Sequence, residues 1–239
     1  MAKVRFMFLV FLLLQTAVIF AQEPLQPIRL ELPFLRTETS VEVISLPDSS
    51  LLVYHKTGNI WSTKADFYFT KYNHKLEKVW SSPADIPPKF NFIRHYIELP
   101  YAYAVFDGDD PEEYIFTRTN IQTGATTFKQ FELKDIDAIH EFNVLQGNYF
   151  LIGQNRLNQK PLLLYLNPFT DKFKQLPAVY GEESSFSDML ADPENNRLDV
   201  VLAESNGRIS RLQVKSFDAT GELIRNYFIL QQEGKNLLN

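Results

Sequence analysis

The chain has no cysteine among its 239 residues. Disulfides, thiolate metal sites, cysteine nucleophiles and lipid attachment through cysteine are therefore excluded within it. Histidine is scarce, and the 4 that are present stand at no metal-pair spacing: His55, His74, His95 and His140. A basic excess is also missing, since 24 Lys and Arg face 29 Asp and Glu. Nucleic acid and anionic lipid are accordingly poor matches as partners.

Several signatures of chemistry are missing as well. The sequence contains no Gly-rich phosphate loop, no Gly-x-Ser-x-Gly elbow and no His-Glu-x-x-His pair. Isolated Ser, His and Asp residues could be combined into a triad on paper, but without a local motif such a triad has no support. The sequence therefore predicts no cofactor and no set of catalytic residues.

A long apolar run occurs at the start of the chain. Lys3 and Arg5 precede the run Phe6–Phe20, and Ala21 follows it. This order of basic, apolar and small residues is typical of a secretory signal peptide, so we expect cleavage near Ala21 and export to the periplasm, cell surface or medium. The run is shorter than the roughly 20 residues that span a bilayer, which predicts no membrane span after cleavage. Removal of the two basic residues changes the formal net charge from −5 to −7.

The rest of the chain contains a repeat. Each unit has an apolar strand end, a polar or Gly/Pro turn and a second apolar strand, with leucines at 46, 99, 145 and 190. A second turn follows at Asn73-His74-Lys75, Thr123-Gly124, Thr170-Asp171 and Thr220-Gly221. The leucine intervals of 53, 46 and 45 residues are typical of propeller blades rather than helical repeats. We therefore predict an all-β, propeller-like fold of about four four-stranded blades.

The predicted domains are a signal peptide at 1–21, an extended segment at 22–38 and a repeat domain at 39–239, with units at about 39–86, 90–135, 137–181 and 183–234. A four-stranded sheet has two faces to bury, so each unit needs neighbours. Only Ile28–Leu32 in the extended segment could supply a strand that closes the ring. We therefore expect an incomplete arc of a larger propeller, with exposed sheet faces at its ends.

The strand segment Phe67–Leu76 and the junction Phe20-Ala21-Gln22 resemble those of exported propeller-type repeat proteins of Bacteroidetes-like bacteria. The resemblance covers nearly all of the chain after the signal peptide, but it is one of repeat style and has no functional motif to transfer. Proteins of this kind are usually longer and mostly lack an assigned activity. The resemblance therefore implies an arc of blades, and it implies no particular reaction.

Polar residues near the start of three units are candidate ligand-binding residues. They are Glu42, Arg94, His95, His140 and Glu141. In a propeller the first strand of each blade lines the central channel, and ligand sites are concave with a few convergent polar groups. The alternative is that these residues merely meet water in the channel, since position alone implies little about function.

The acidic run Asp107–Glu113 suggests a hard cation such as calcium, with Asp107, Asp109 and Asp110 as weak metal candidates. The run lacks EF-hand spacing, however, and Asp-Gly and Asp-Pro are turn residues. A solvated hairpin loop is the favoured interpretation. The run Asp192–Asn196 is interpreted as the equivalent turn of the last unit.

Export, blades and the missing catalytic motifs together favour a non-catalytic binding or structural module of the bacterial envelope or secreted fraction, with a protein or glycan as its partner. The alternative is a glycan-active hydrolase or lyase whose site lies at the propeller channel, as in some propellers.

Overall fold

A computed structural model describes residue 29 and residues 38–57, 66–170, 172–177, 184–205 and 210–230. The chain divides into two units, Met1–Pro33 and Phe34–Asn239, and every described residue except Arg29 belongs to the second. The expected signal peptide lies outside the described residues, and so does the extended segment apart from Arg29 and Glu38. Within the described ranges, no helix is long and apolar enough to cross a membrane.

The described residues form sixteen β-strands in four antiparallel four-stranded sheets, each in sequential strand order. Sheet 1 consists of β1 (Glu38–Ser45), β2 (Leu51–Thr57), β3 (Asp66–Tyr72) and β4 (Lys78–Ala84). Sheet 2 consists of β5 (Asn91–Glu98), β6 (Tyr101–Asp107), β7 (Glu113–Asn120) and β8 (Thr126–Glu132). Sheet 3 consists of β9 (Ile136–Leu145), β10 (Asn148–Asn155), β11 (Pro161–Asn167) and β12 (Lys172–Gln175). Sheet 4 consists of β13 (Ser184–Asp192), β14 (Arg197–Ser205), β15 (Ser210–Phe217) and β16 (Leu223–Leu230).

The second strands of sheets 2 and 3 are apolar along most of their length because both of their faces are covered. Residues 102–106 of β6 and 149–153 of β10 are buried without interruption. The outer strand β8 has a mixed pattern instead, with Phe131 as its buried residue. A strand that is covered on both faces appears in the sequence as an apolar run, whereas a strand covered on one face alternates.

The turn between the third and fourth strands is built in the same way in all four sheets. An Asn or Asp side chain accepts a hydrogen bond from the backbone N–H two residues later, which is the Asx-turn. The four acceptors are Asn73, Asn120, Asn167 and Asp218. These residues mark the structural repeat. The position of this turn was predicted correctly from the sequence, but the Asn or Asp that accepts its hydrogen bond was not.

Three apolar cores join the sheets in series. Tyr54 and Phe106 belong to the core between sheets 1 and 2. Phe116 and Tyr149 belong to the core between sheets 2 and 3, and Phe150 belongs to the core between sheets 3 and 4. Adjacent residues of one strand, such as Tyr149 and Phe150, therefore enter different cores. The predicted all-β, propeller-like arrangement of four-stranded blades is confirmed.

The outer faces of the terminal sheets are less well covered. In sheet 4, Leu190, Tyr227 and Ile229 are 58%, 47% and 40% exposed, and in sheet 1 Val43 is 56% exposed. Among the described residues, none of the three cores joins sheet 1 to sheet 4. Exposed end faces are what an arc of blades would have, and the membership of that arc in a larger propeller stays a prediction.

The four landmark leucines have different surroundings. Leu46 and Leu145 are buried, whereas Leu99 and Leu190 are 63% and 58% exposed. They lie near the same turn of each sheet, between its first and second strands, because a polar turn is required there. The leucines therefore locate the repeat correctly without sharing a packing role.

The interpretation of Asp192–Asn196 as the equivalent of the acidic run in sheet 2 is wrong. Residues 193–196 join the first two strands of sheet 4, β13 and β14, whereas residues 108–112 join the second and third strands of sheet 2, β6 and β7. In antiparallel sheets these two connections lie at opposite ends of the strands. Similar Asp-Pro turn chemistry at both ends of a blade accounts for the error.

Candidate functional site

The inner strands carry the predicted channel residues. The first strands of sheets 2, 3 and 4 are neighbours, because β9 contacts both β5 and β13. Arg94 and His95 lie on β5, and His140 and Glu141 lie on β9. Glu42 occupies the corresponding first strand of sheet 1, and all five side chains are at least partly open to solvent.

Four of these five residues interact in two pairs. The Nε of Arg94 donates a hydrogen bond to the backbone oxygen of His140 at 2.8 Å, which ties β5 to β9. The pKa of His95 lies below its ordinary value because surrounding atoms desolvate the charged ring, and the negative charge of Glu42 opposes this shift. No hydrogen bond or ion pair joins Glu141 to the other four within the described ranges. Their role in ligand binding stays a prediction.

The acidic run forms a closed hairpin loop. The carboxylate of Asp110 accepts a hydrogen bond from the N–H of Glu112 at 3.0 Å. Neighbouring basic residues then engage the two glutamates, because Arg156 pairs with Glu112 at 3.1 Å and Lys89 pairs with Glu113. The described residues contain no group of three His, Cys, Asp or Glu side chains arranged to hold a metal ion.

Asp107 is the least exposed of the three aspartates that the sequence suggests as weak metal candidates. Its burial raises its pKa, and the nearby negative charge of Asp109 acts in the same direction. The charge of Asp109 also acts on the ammonium group of Lys56, which donates a hydrogen bond to the backbone oxygen of Phe90 at 3.2 Å. The hydrogen bond from Lys56 links sheet 1 to the segment that precedes β5 of sheet 2.

A cleft of about 200 Å³ lies between sheets 2 and 3, and the sequence analysis did not predict it. Phe116 and Tyr149 line it as a stacked pair, with ring centroids 5.2 Å apart and 16° between the planes. Phe169 also lines it and is 66% exposed. Phe128 belongs to the lining as well, but it pairs with Thr117 across β7 and β8, so its side chain lies on the face of sheet 2 opposite to Phe116. The cleft also contains two cationic side chains, those of Arg118 and Lys129.

At the two other sheet junctions, an aromatic ring packs against the turn between the third and fourth strands of the next sheet. A Cβ added to Gly124 would lie 2.8 Å from the Trp80 ring, and one added to Gly221 would lie 3.0 Å from the Tyr165 ring. Between sheets 2 and 3 the corresponding turn carries Phe169, whose ring stands largely in solvent. The cleft therefore lies where the repeated packing is incomplete.

Arg118 supplies the positive charge at the centre of this region. Its guanidinium carbon lies 4.6 Å from the ring centroid of Tyr101 and 5.9 Å from that of Phe169. Burial raises the pKa of Tyr149 to about 12, and the charge of Arg118 opposes that rise, so its field reaches the stacked pair. Among the described residues, no carboxylate forms an ion pair with Arg118.

The charges of Glu98 and Arg118 both act on Tyr103, but the Glu98 carboxylate is engaged elsewhere. The carboxylate of Glu98 accepts hydrogen bonds from the backbone N–H groups of Gln146 and Gly147, the latter at 2.9 Å. These bonds fix the turn that forms one wall of the cleft. The signal in the sequence that could have identified the cleft is Arg118 itself, a cation within the largely buried strand β7.

Four antiparallel four-stranded sheets, joined in series by apolar cores and with the first strands of sheets 2, 3 and 4 adjoining, define an all-β, propeller-like protein. No family model and no curated protein matches the sequence.

Three solved structures are similar in part. Prolyl oligopeptidase B from Galerina marginata, bound to a 35mer hydrolysis and macrocyclization substrate, is 12% identical with a TM-score of 0.46, and the match covers 82% of this chain and 27% of that one. An uncharacterized protein from Listeria monocytogenes is 10% identical with a TM-score of 0.40, over 82% of this chain and 68% of that one. A DUF4221 family member from Bacteroides vulgatus is 8% identical with a TM-score of 0.39, over 80% and 81%. The chain thus spans about 27% of the length of the oligopeptidase. Likenesses of this degree leave the question of function to the residues of the chain itself.

Proposed function

We propose that the chain is an exported, non-catalytic binding module of the bacterial envelope or secreted fraction, and that its ligand occupies the cleft between sheets 2 and 3. Export is supported by the order of basic, apolar and small residues at the N-terminus. Binding is supported by one observation above all, the exposed Phe169 ring beside the Arg118 guanidinium at a corner that the other sheet pairs fill.

Contact between exposed rings and water is unfavourable. A ligand that covers them stabilises the complex by roughly 25 cal/mol per Å² of apolar surface removed from water. Arg118 lies on sheet 2 and Phe169 on sheet 3, so a ligand between them would contact both blades. Scattered exposed apolar residues are ordinary on a protein surface, but rings grouped at a concave site with polar groups favour recognition.

Two exposed phenylalanines of sheet 3 provide a matched test. Phe169, in the turn after β11, lines the cleft and Phe173 on β12 does not, and they are 66% and 56% exposed. In a pull-down from envelope extract with the secreted form of the chain, we expect Phe169→Ser to weaken retention of the partner at least about tenfold, as loss of a central aromatic contact does.

The control Phe173→Ser removes a ring of similar exposure that does not line the cleft, and it is expected to retain the partner as the unchanged chain does. Equal retention by both variants, or equal loss, would contradict the assignment of the ligand to the cleft. The affinity of the recovered partner is then measured by titration for each variant, so that a change in yield is not mistaken for a change in binding.

A second candidate function, a glycan-active enzyme acting at the channel, is favoured by the interaction of the Glu42 carboxylate with the His95 ring. Because the charge of Glu42 raises the pKa of His95, we expect Glu42→Gln to lower that pKa further, as measured by NMR titration of the ring protons. Glu141→Gln is the control and should leave the titration unchanged.

The enzyme candidate itself is tested by an assay of the unchanged chain on a panel of polysaccharides. Cleavage that Glu42→Gln abolishes would support a catalytic pair, and absence of cleavage by the unchanged chain would eliminate this candidate.

A further inference from the structure

We propose that the cleft between sheets 2 and 3 recognises a carboxylate attached to an apolar group, as an acidic peptide segment or a peptide C-terminus presents it. This inference rests on the proposed binding function and specifies the chemistry of the ligand. It is carried by the juxtaposition of the Arg118 guanidinium with the rings of Phe116, Tyr149 and Phe169.

The charge of the cleft is opposite to that of the chain. The whole sequence has a formal net charge of −5, yet the lining contains Arg118 and Lys129 and no acidic residue. Arginine presents a planar fork of N–H donors that matches the two oxygens of a carboxylate. In the part of the chain that the structure describes, no carboxylate occupies that fork, and Glu98 is held by the backbone of residues 146 and 147.

The apolar part of the site specifies the rest of the ligand. Phe116 and Tyr149 are buried and stacked, whereas Phe169 also lines the cleft and is largely exposed to solvent. A volume of about 200 Å³ is below the range of roughly 300–1,000 Å³ that drug-sized ligands occupy. The cleft therefore has room for one apolar side chain with its adjoining carboxylate.

A peptide fits this lining better than a sugar. Two of the three rings, Phe116 and Phe169, have no group that hydrogen-bonds the hydroxyls of a sugar, and the Tyr149 ring is buried. A sugar packed against these rings would leave the hydroxyls on that side without partners, at a cost for each one. A side chain without polar groups carries no such cost, and its carboxylate can reach Arg118.

The wall of the cleft is fixed before a ligand arrives. The two N–H bonds to Glu98 hold the Gln146-Gly147 turn, and a Cβ added to Gly147 would meet the Phe169 ring at an ordinary 3.6 Å. Arg118 lies against the Tyr101 ring, which limits the orientations of its side chain. Preorganised groups of this kind bind more tightly because less order is lost on association.

The test uses probes that differ in one group. N-acetyl-L-phenylalanine carries the carboxylate and N-acetyl-L-phenylalaninamide replaces it with a neutral amide of the same shape. Each is titrated into the secreted form of the chain at low salt, with the backbone N–H signals of Gly147, Phe128 and Phe169 followed by NMR. We expect the acid to bind at least about tenfold more tightly than the amide, since a hydrogen-bonded charge pair is lost with the amide.

Variants of Arg118 identify the group responsible. Arg118→Gln should remove the preference for the acid over the amide, and Arg118→Lys should keep part of it because charge remains without the fork. Thermal unfolding of each variant shows whether it is folded. The comparison of acid and amide on the unchanged chain needs no variant, so the inference is tested even if Arg118 substitutions destabilise the sheet.

Glucuronate and glucose serve as the glycan pair. Tighter binding of glucuronate than of N-acetyl-L-phenylalanine would overturn the inference in favour of an acidic sugar. Equal binding of acid and amide at the cleft would also overturn it, while the proposed binding function would stand. If none of the probes shifts the cleft signals, the inference fails, and if Phe169→Ser also retains the partner, the proposed function fails with it.

Discussion

We expect Phe106→Ala to lower the free energy of unfolding by about 3–5 kcal/mol, the range for removal of a buried phenylalanine ring. Phe106 is 0% exposed in the core between sheets 1 and 2. Its ring centroid lies 5.3 Å from that of Tyr54, 6.5 Å from that of Phe67 and 5.6 Å from that of Phe92. Both sheets would therefore line the resulting cavity, and the change is measured by equilibrium denaturation in urea.

Phe173→Ala is the matched control for this measurement. The Phe173 ring is 56% exposed on the outer strand of sheet 3, so its loss should change the free energy of unfolding by about 0.5 kcal/mol or less. A similar loss for both variants would mean that the packing between sheets 1 and 2 contributes no more than surface contacts do. That outcome would contradict the series of cores on which the propeller-like arrangement depends.

The repeat was predictable because its cause is local. A turn between antiparallel strands needs residues such as Asn120 or Gly124, and strands covered on both faces need apolar runs such as 102–106. Both patterns can be read within about ten residues of sequence. The number of strands, their order and the class of fold follow from such patterns repeated along the chain.

The cleft was not predictable because its cause is distant in sequence. The junction of sheets 1 and 2 is filled because Trp80 meets the turn at Gly124, and the indole Nε1 also donates to the backbone oxygen of Ile121 at 3.2 Å. No local pattern indicates that the next junction lacks such a ring. The position of Arg94 and His140 on the inner strands was predictable from the repeat. Their hydrogen bond was not, because it depends on how two neighbouring sheets meet.

The difference between a filled and an open junction can be measured with two glycines of nearly equal backbone conformation. Gly124 has φ of 76° and Gly147 has φ of 75°, a region in which any L-residue costs roughly 1–2 kcal/mol. We expect Gly147→Ala to lower the free energy of unfolding by about that amount, because its Cβ would meet only the Phe169 ring at 3.6 Å.

Gly124→Ala carries the same backbone cost and an overlap in addition. Its Cβ would lie 2.8 Å from the Trp80 ring, a position that forces the ring or the turn to move. Overpacking of this kind costs about 1–3 kcal/mol, so we expect a total loss of about 2–5 kcal/mol in urea denaturation. Equal losses for the two variants would mean that both junctions are equally filled. In that case the turn at Gly147 would be packed as tightly as the turn at Gly124, whereas the expected difference would show that the space between sheets 2 and 3 is the more open of the two.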